Sequence, residues 1–326
     1  MLLNIIFIIL GLAGLYYGGE WLVTGASRIA MKMKIPSIII GLTIVAVGTS
    51  VPELGVSVLA SLQGKEGIAI GNVIGSNIAN IGLILGLTGL IRTIQVHESL
   101  VKREIPIMIG VTLFVTLLTL DGHLGRVEGI ILLLGFVLFN YMFYRIARQE
   151  GVLDGKGELP EDLDIELPEE VEDLSTINRS HEALRILVGS VVLMVAAQLM
   201  VEGASNFARA IGVSDLVIGV TMVAFGTSLP ELATSLTAAF KGESDIAIGN
   251  VIGSNIANLL LVLGSASTIA TINVGGTDLS VVEYIVMIGF SVMLWPFARQ
   301  RELSRVESAM FLGAYFAFIL YSFFGK

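Results

Sequence analysis

Two glutamates, Glu53 and Glu231, sit in otherwise apolar stretches and follow the same residues: Gly48, Thr49, Ser50 and Pro52 before the first, Gly226, Thr227, Ser228 and Pro230 before the second. A lone carboxylate within a membrane segment is costly and by default functional. Two at equivalent positions make a candidate cation site. The equivalence extends well beyond them, because residues 41–86 and 219–264 align without gaps at an offset of 178, with 29 identities in 46 positions.

Proline lacks an amide hydrogen and clashes with the preceding helical turn. A helix is therefore expected to end near Ala46 and restart at Pro52, with the same break between Ala224 and Pro230. Thr49 or Ser50 is placed to cap the restarted half. The carbonyls of Ala46 and Ala224 are expected to lose their intrahelical partners and become available to a cation. In the next apolar stretch Asn72, Ser76 and Asn80 are spaced by four, as are Asn250, Ser254 and Asn258. This spacing lines each trio along one helical face. Hydroxyl and amide oxygens suit hard cations such as Na⁺ and Ca²⁺. Asn77 and Asn255 lie elsewhere on these helices and are candidates for holding the interrupted helices in place.

Blander readings compete. A proline among small polar residues commonly marks a kink and helix packing, but the doubled glutamate, each time ahead of an oxygen-rich face, favours a cation site. Gly71 with Gly75, and Gly249 with Gly253, read first as close helix packing. Glu20 and Glu202 are expected toward the cytoplasmic ends of their spans, as interfacial or gating residues. His97, His123 and His181 fall in expected loops, which leaves a histidine proton relay unsupported.

The elements that position these residues must be membrane spans. The chain is 54% hydrophobic and 14% charged, with a mean hydropathy of +0.85, whereas soluble domains carry about 25% charged residues. Ten stretches approach the ~20 residues a spanning helix needs: 2–24, 36–62, 67–91, 104–120, 127–147, 184–208, 214–240, 246–272, 280–298 and 306–324. The first has no basic residue before it and no small-residue cleavage pattern after it, so a retained helix is expected. The expected fold is an all-α integral membrane protein of ten transmembrane helices, with a first five-helix repeat (1–148), an acidic linker (149–183) and a second five-helix repeat (184–326). Five spans separate equivalent elements, an odd number, so the repeats are inverted, as in many secondary transporters with a site near the midplane.

Charge placement supports this count. Loops after odd-numbered spans hold 15 of the 19 Lys and Arg residues, and the other side holds Lys65, Arg126, Arg209 and Lys326. By the positive-inside rule both termini lie outside and the linker is cytoplasmic. The net charge of −9 is local: Gln149 to Glu182 carries 12 acidic residues against Lys156 and Arg179, or −10, leaving +1 elsewhere. That segment lacks the EF-hand pattern and reads as a solvated connector. Cysteine is absent, which removes disulfide and thiol chemistry. Nothing supports a nucleic-acid partner. No nucleophile elbow or His/Cys metal cluster points to an enzyme, and no cofactor is expected.

With GTSVPE and GTSLPE, each followed by GNVIGSNIAN, the chain resembles the calcium/cation antiporter superfamily, most nearly its prokaryotic sodium/calcium exchangers, along essentially its whole length. The resemblance implies exchange of Na⁺ for Ca²⁺ across the cell membrane by alternating access, the first and sixth spans sliding past a core of the other eight. It makes Glu53 and Glu231, with the carbonyls of Thr49 and Thr227, the Ca²⁺ ligands. Ser50, Ser76, Ser228 and Ser254, with the carbonyls of Ala46 and Ala224 and the two glutamates, would form flanking Na⁺ sites. Asn80 and Asn258 match positions beside the central site, and Asn72 and Asn250 are polar neighbours. Asn258 departs from potassium-dependent relatives, which carry Asp there, and this argues against potassium co-transport. The ligands implied can all come from one chain, so a monomer in membrane lipid suffices. Ca²⁺/H⁺ exchange on the same fold is the nearest alternative, and a cation channel a more distant one.

Overall fold

The computed structural model describes residues 2–33, 35–149, 177–211, 224–277 and 280–324. Its helices are α1 (Leu2–Met33), α2 (Ser37–Thr49), α3 (Val51–Leu62), α4 (Glu66–Ile91), α5 (Ile105–Leu118), α6 (Arg126–Gln149), α7 (Arg179–Ala210), α8 (Ala224–Thr227), α9 (Leu229–Phe240), α10 (Ser244–Ile269), α11 (Val281–Ala298) and α12 (Arg305–Phe324). Six of them (α1, α4, α6, α7, α10 and α11) are long and apolar enough to cross a membrane, and the bent pair α2–α3 makes a seventh. That is fewer than the ten spans read from the sequence. The 14 residues of α5 rise only about 21 Å, and residues 212–223, ahead of α8, lie outside the described residues.

The interior belongs to α4 and α10, whose most apolar windows are 78% and 94% buried, against 22% for α1. Ile70, Ile74, Ile78 and Ile81 pack in one core cluster with their repeat counterparts Ile248, Ile252, Ile256 and Leu259. In both helices the backbone widens into a π-helix at the last asparagine of the trio, over Asn80–Leu85 and Asn258–Val262. Such π segments are frequent at functional sites.

Alongside lie α1 and α7, 32 residues each and about 48 Å long, more than the ~30 Å hydrocarbon thickness. They run antiparallel in close contact: a methyl added at Gly11 would meet Met200 Cβ at 2.7 Å, and one at Gly203 would meet the Asn4 carbonyl at 2.7 Å. At the other end Glu182, almost fully buried, binds Arg28 at 3.4 Å and Arg185 at 2.8 Å. The second half begins earlier than expected. Asn178 Oδ1 caps α7 by accepting from the Ser180 N–H at 3.0 Å, inside the stretch 149–183 assigned to the linker. Linker residues 150–176 lie outside the described residues.

Short strands tie loops together. Ile94–Gln95 (β1) pairs antiparallel with Glu302–Leu303 (β4), and His123–Leu124 (β2) with Ile272–Asn273 (β3). The Asn273 N–H also donates to Glu66 Oε2 at 2.9 Å.

Candidate functional site

The break before Glu53 is sharper than the sequence suggests. Helix α2 continues to Thr49, Ser50 alone leaves helical geometry (φ −81°, ψ 6°), and α3 restarts at Val51 with a 44° bend. A proline removes the bond to the carbonyl four residues earlier, which for Pro52 is that of Gly48. The Ala46 carbonyl keeps its partner, the Ser50 N–H at 3.0 Å, contrary to expectation. Ala46 O is nonetheless approached by the hydroxyls of Thr49 at 3.3 Å and Ser254 at 3.5 Å. Ser228 likewise separates α8, which opens at Ala224, from α9. Neither Ser50 nor Ser228 forms the expected side-chain cap. Their hydroxyls reach across the molecule: Ser50 Oγ donates to Glu231 Oε1 at 3.4 Å and Ser228 Oγ to Ser76 Oγ at 3.4 Å.

The restarted helices carry the two glutamates in their first turns, Glu53 0% and Glu231 1% exposed. Each carboxylate faces hydroxyls from the opposite repeat, Glu53 those of Thr227 and Ser228, and Glu231 those of Thr49 and Ser50. Both oxygens of Glu53 and Oε2 of Glu231 are nevertheless buried without a hydrogen-bond partner among the described residues. No Lys or Arg pairs with either glutamate among those residues. Buried acceptors left in this way are costly, and a bare cation satisfies them directly.

The asparagine trios divide their labour. Asn72 Nδ2 donates to the Glu53 carbonyl at 3.2 Å and to Ser57 Oγ at 2.9 Å, while its Oδ1 accepts from Thr227 Oγ1 at 3.3 Å. Asn250 repeats this with the Glu231 carbonyl at 3.4 Å, Ser235 Oγ at 3.1 Å and Thr49 Oγ1 at 3.1 Å. These two, and not Asn77 and Asn255, hold the interrupted helices. Asn77 and Asn255 join α4 to α10, each donating to the other's backbone carbonyl, at 3.3 and 3.4 Å. Reciprocal bonds between repeats leave no local trace in sequence, which is why that role was misassigned. Ser76 and Ser254 are buried, and Ser254 Oγ lies 3.4 Å from Thr49 Oγ1. Asn80 and Asn258 are fully buried, each with Oδ1 without a partner among the described residues.

The weaker candidates lie apart. Gly249 and Gly253 do pack closely on α2, with the Ile38 and Leu42 carbonyls 3.1 and 2.4 Å from an added methyl, whereas no described atom lies that near Gly71 or Gly75. Because α1 and α7 are antiparallel, Glu20 and Glu202 do not share an end, which corrects the sequence reading. Glu202 adjoins Gly203, beside Asn4 at the start of α1. Glu20 pairs with Lys241 at 3.6 Å. His181 lies within the first turn of α7 and not in a loop. Among the described residues no three or more His, Cys, Asp or Glu gather as a metal cluster, so the central site offers two carboxylates and many neutral oxygens.

Comparison with known proteins covers nearly the whole chain. The family described as sodium/calcium exchanger protein matches residues 3–145 and 181–324. The antiporter CaxA of Alkalimonas amylolytica, a putative assignment by its own name, is 40% identical over 99% of this chain and 100% of its own. The sodium/calcium exchanger MaX1 of Methanosarcina acetivorans is 33% identical over 98% of this chain and 99% of its own. A solved structure of the sodium-calcium exchanger NCX_Mj, soaked with 10 mM Na⁺ and 10 mM Sr²⁺, superposes with a TM-score of 0.82 at 34% identity, covering 98% of each chain.

Proposed function

Because the chain belongs to the sodium/calcium exchanger family, a family of membrane cation antiporters, we propose that it exchanges Na⁺ for Ca²⁺ by alternating access. The observation that carries this is a set of acceptors buried without a partner among the described residues, on helices that pack on one another: Glu53 Oε1 and Oε2, Glu231 Oε2, Asn80 Oδ1 and Asn258 Oδ1. Glu53 and Glu231, with the carbonyls of Thr49 and Thr227, hold Ca²⁺, a cation that takes six to eight oxygens. Ser50, Ser76, Ser228 and Ser254, with the carbonyls of Ala46 and Ala224, extend the cluster into flanking Na⁺ sites. For the Ala46 carbonyl to take that role, the Thr49 and Ser254 hydroxyls that approach it turn their hydrogens away while the Ser50 N–H keeps one lone pair. Asn72 and Asn250 serve as braces. The protein works as a monomer in lipid, carrying Na⁺ and Ca²⁺ without a cofactor.

Ten spans in two inverted repeats (1–148 and 184–326) fit the loop pairings. Counted that way, β1–β4 joins the loops after spans three and nine, β2–β3 those after four and eight, and Glu66–Asn273 those after two and eight. Every pair falls on one side of the membrane, as it must. Both termini are then outside the cell membrane and the linker is cytoplasmic.

Two ionised glutamates are neutralised by one Ca²⁺ and carry +1 with three Na⁺. Three-to-one exchange then places the voltage dependence on the Na⁺ limb, at ~2.3 kcal/mol per charge per 100 mV. The test is radioactive Ca²⁺ uptake into proteoliposomes driven by a Na⁺ gradient with pH clamped. Uptake is expected to follow the Na⁺ gradient and to respond to membrane potential. Uptake that follows only a pH gradient would replace this reading with Ca²⁺/H⁺ exchange.

A further inference from the structure

Asn77 and Asn255 bind nothing in the reading above, yet their bonds decide what the site presents. A backbone carbonyl can only accept, so each of these side chains must turn its NH₂ toward the other's carbonyl. Thioether sulfurs, also acceptors, lie on the same side: Met287 Sδ is 4.0 Å from Asn77 Nδ2, and Met108 Sδ is 3.7 Å from Asn255 Nδ2. Both Oδ1 atoms are thereby fixed. Asn80 Nδ2 donates to Asn255 Oδ1 at 3.0 Å, and Asn258 Nδ2 to Asn77 Oδ1 at 3.2 Å. An amide whose NH₂ is held in this way has its oxygen turned to the other side, and Oδ1 of both Asn80 and Asn258 is buried without a partner among the described residues. Helix α9, which carries Glu231, packs on the π segment that begins at Asn80, and α3, which carries Glu53, on the one that begins at Asn258.

We propose that Asn77 and Asn255 are positioning residues: each locks the amide of the opposite repeat (Asn258 and Asn80, respectively) with its oxygen toward the glutamates, so that a cation meets acceptors and never an NH₂. The proposal rests on the reading of this cluster as a cation site. Without the lock, Asn80 or Asn258 is free to turn over and present donors where positive charge must sit. An aspartate has no wrong face, so Asp at position 80 should make the Asn255 lock unnecessary.

The test is a double-mutant cycle on purified protein, with Ca²⁺ binding measured by calorimetry and melting temperature measured in parallel. Asn255→Ala should weaken Ca²⁺ binding roughly tenfold, the upper size of one lost neutral hydrogen bond. Adding Asn80→Asp should restore binding, with a gain about tenfold larger than the same change gives in the wild-type background. Asn77→Ala with Asn258→Asp is the mirror arm and must behave alike. Equal gains in both backgrounds, or binding and melting lost together with no repair in either arm, would show a helix fastener only and overturn the proposal. Wild-type protein that binds no Ca²⁺ would overturn the cation-site reading and the proposal with it.

Discussion

At the centre of the molecule Asn72 braces Glu53 as Asn250 braces Glu231, and Thr227 meets Asn72 as Thr49 meets Asn250. The flanking helices are not matched in this way. Helix α1 packs along α9: Lys241 pairs with Glu20 at 3.6 Å and donates to Thr24 at 2.8 Å, and Ser27 donates to Glu243. The repeat counterparts are Gln198, Glu202 and Ser205 on α7, and Gln63 and Lys65 after α3. No hydrogen bond or ion pair joins them among the described residues, and α7 makes no comparable packing on α3. Leu229, at the start of α9, is 4% exposed, whereas its counterpart Val51 is 41% exposed. A site visited from both sides needs chemistry that reads alike from each. Under the proposed alternating access the two sides must differ at any moment, and the unequal packing of α1 and α7 is where that difference would lie.

Breaking the symmetric centre should have the largest effect. Glu53→Gln and Glu231→Gln should each reduce Na⁺-driven Ca²⁺ uptake at least 100-fold, since each removes one of two charges that a cation relies on, while membrane insertion persists. A large loss from one and a small loss from the other would break the symmetry argument. Asn72→Ala and Asn250→Ala come next. Each strips a hydrogen bond from a glutamate's own carbonyl, at about 1–3 kcal/mol, and thermal melting should fall by similar amounts for both.

At the asymmetric flank the expected effects are smaller. A partly exposed ion pair is worth about 0–1 kcal/mol, so Lys241→Ala should raise only a few-fold the labelling of a cysteine introduced at Thr237, in the groove between α1 and α9. The chain has no cysteine of its own to confuse this signal. Gln63→Ala, at its repeat counterpart in the other half, should leave that labelling unchanged. The smallest effect concerns Glu98, exposed between Lys102 and Arg301. Its hydrogen bond to Lys102 and the Arg301 charge hold its carboxyl below the ordinary range. The stabilisation is therefore present near neutral pH and lost as pH falls through that lowered value. Glu98→Gln should narrow the melting difference between neutral and acid pH slightly.

Much of the centre was legible in the sequence, because apolar stretches, prolines and a 178-residue offset are local or countable features. The doubled glutamates stand out from that pattern, and the structure buries them beside hydroxyls of the opposite repeat. The Ala46 carbonyl was misjudged because the arithmetic of a proline break points to Gly48. The bracing role expected of Asn77 falls to Asn72, whose partners Glu53 and Ser57 lie 19 and 15 residues away, whereas Asn77 bonds a residue 178 positions away in the other repeat. The π segments at Asn80 and Asn258 follow from no local signal. The docking asymmetry was hidden for a different reason: near-identical repeats cannot announce which of two arrangements each adopts.

The most direct test of the central claim is an anomalous difference map from crystals grown with Ca²⁺. The account predicts a peak between Glu53 and Glu231, within roughly 2.3–2.6 Å of oxygens from both carboxylates. A peak that touches only one repeat, or none near either glutamate, would contradict it.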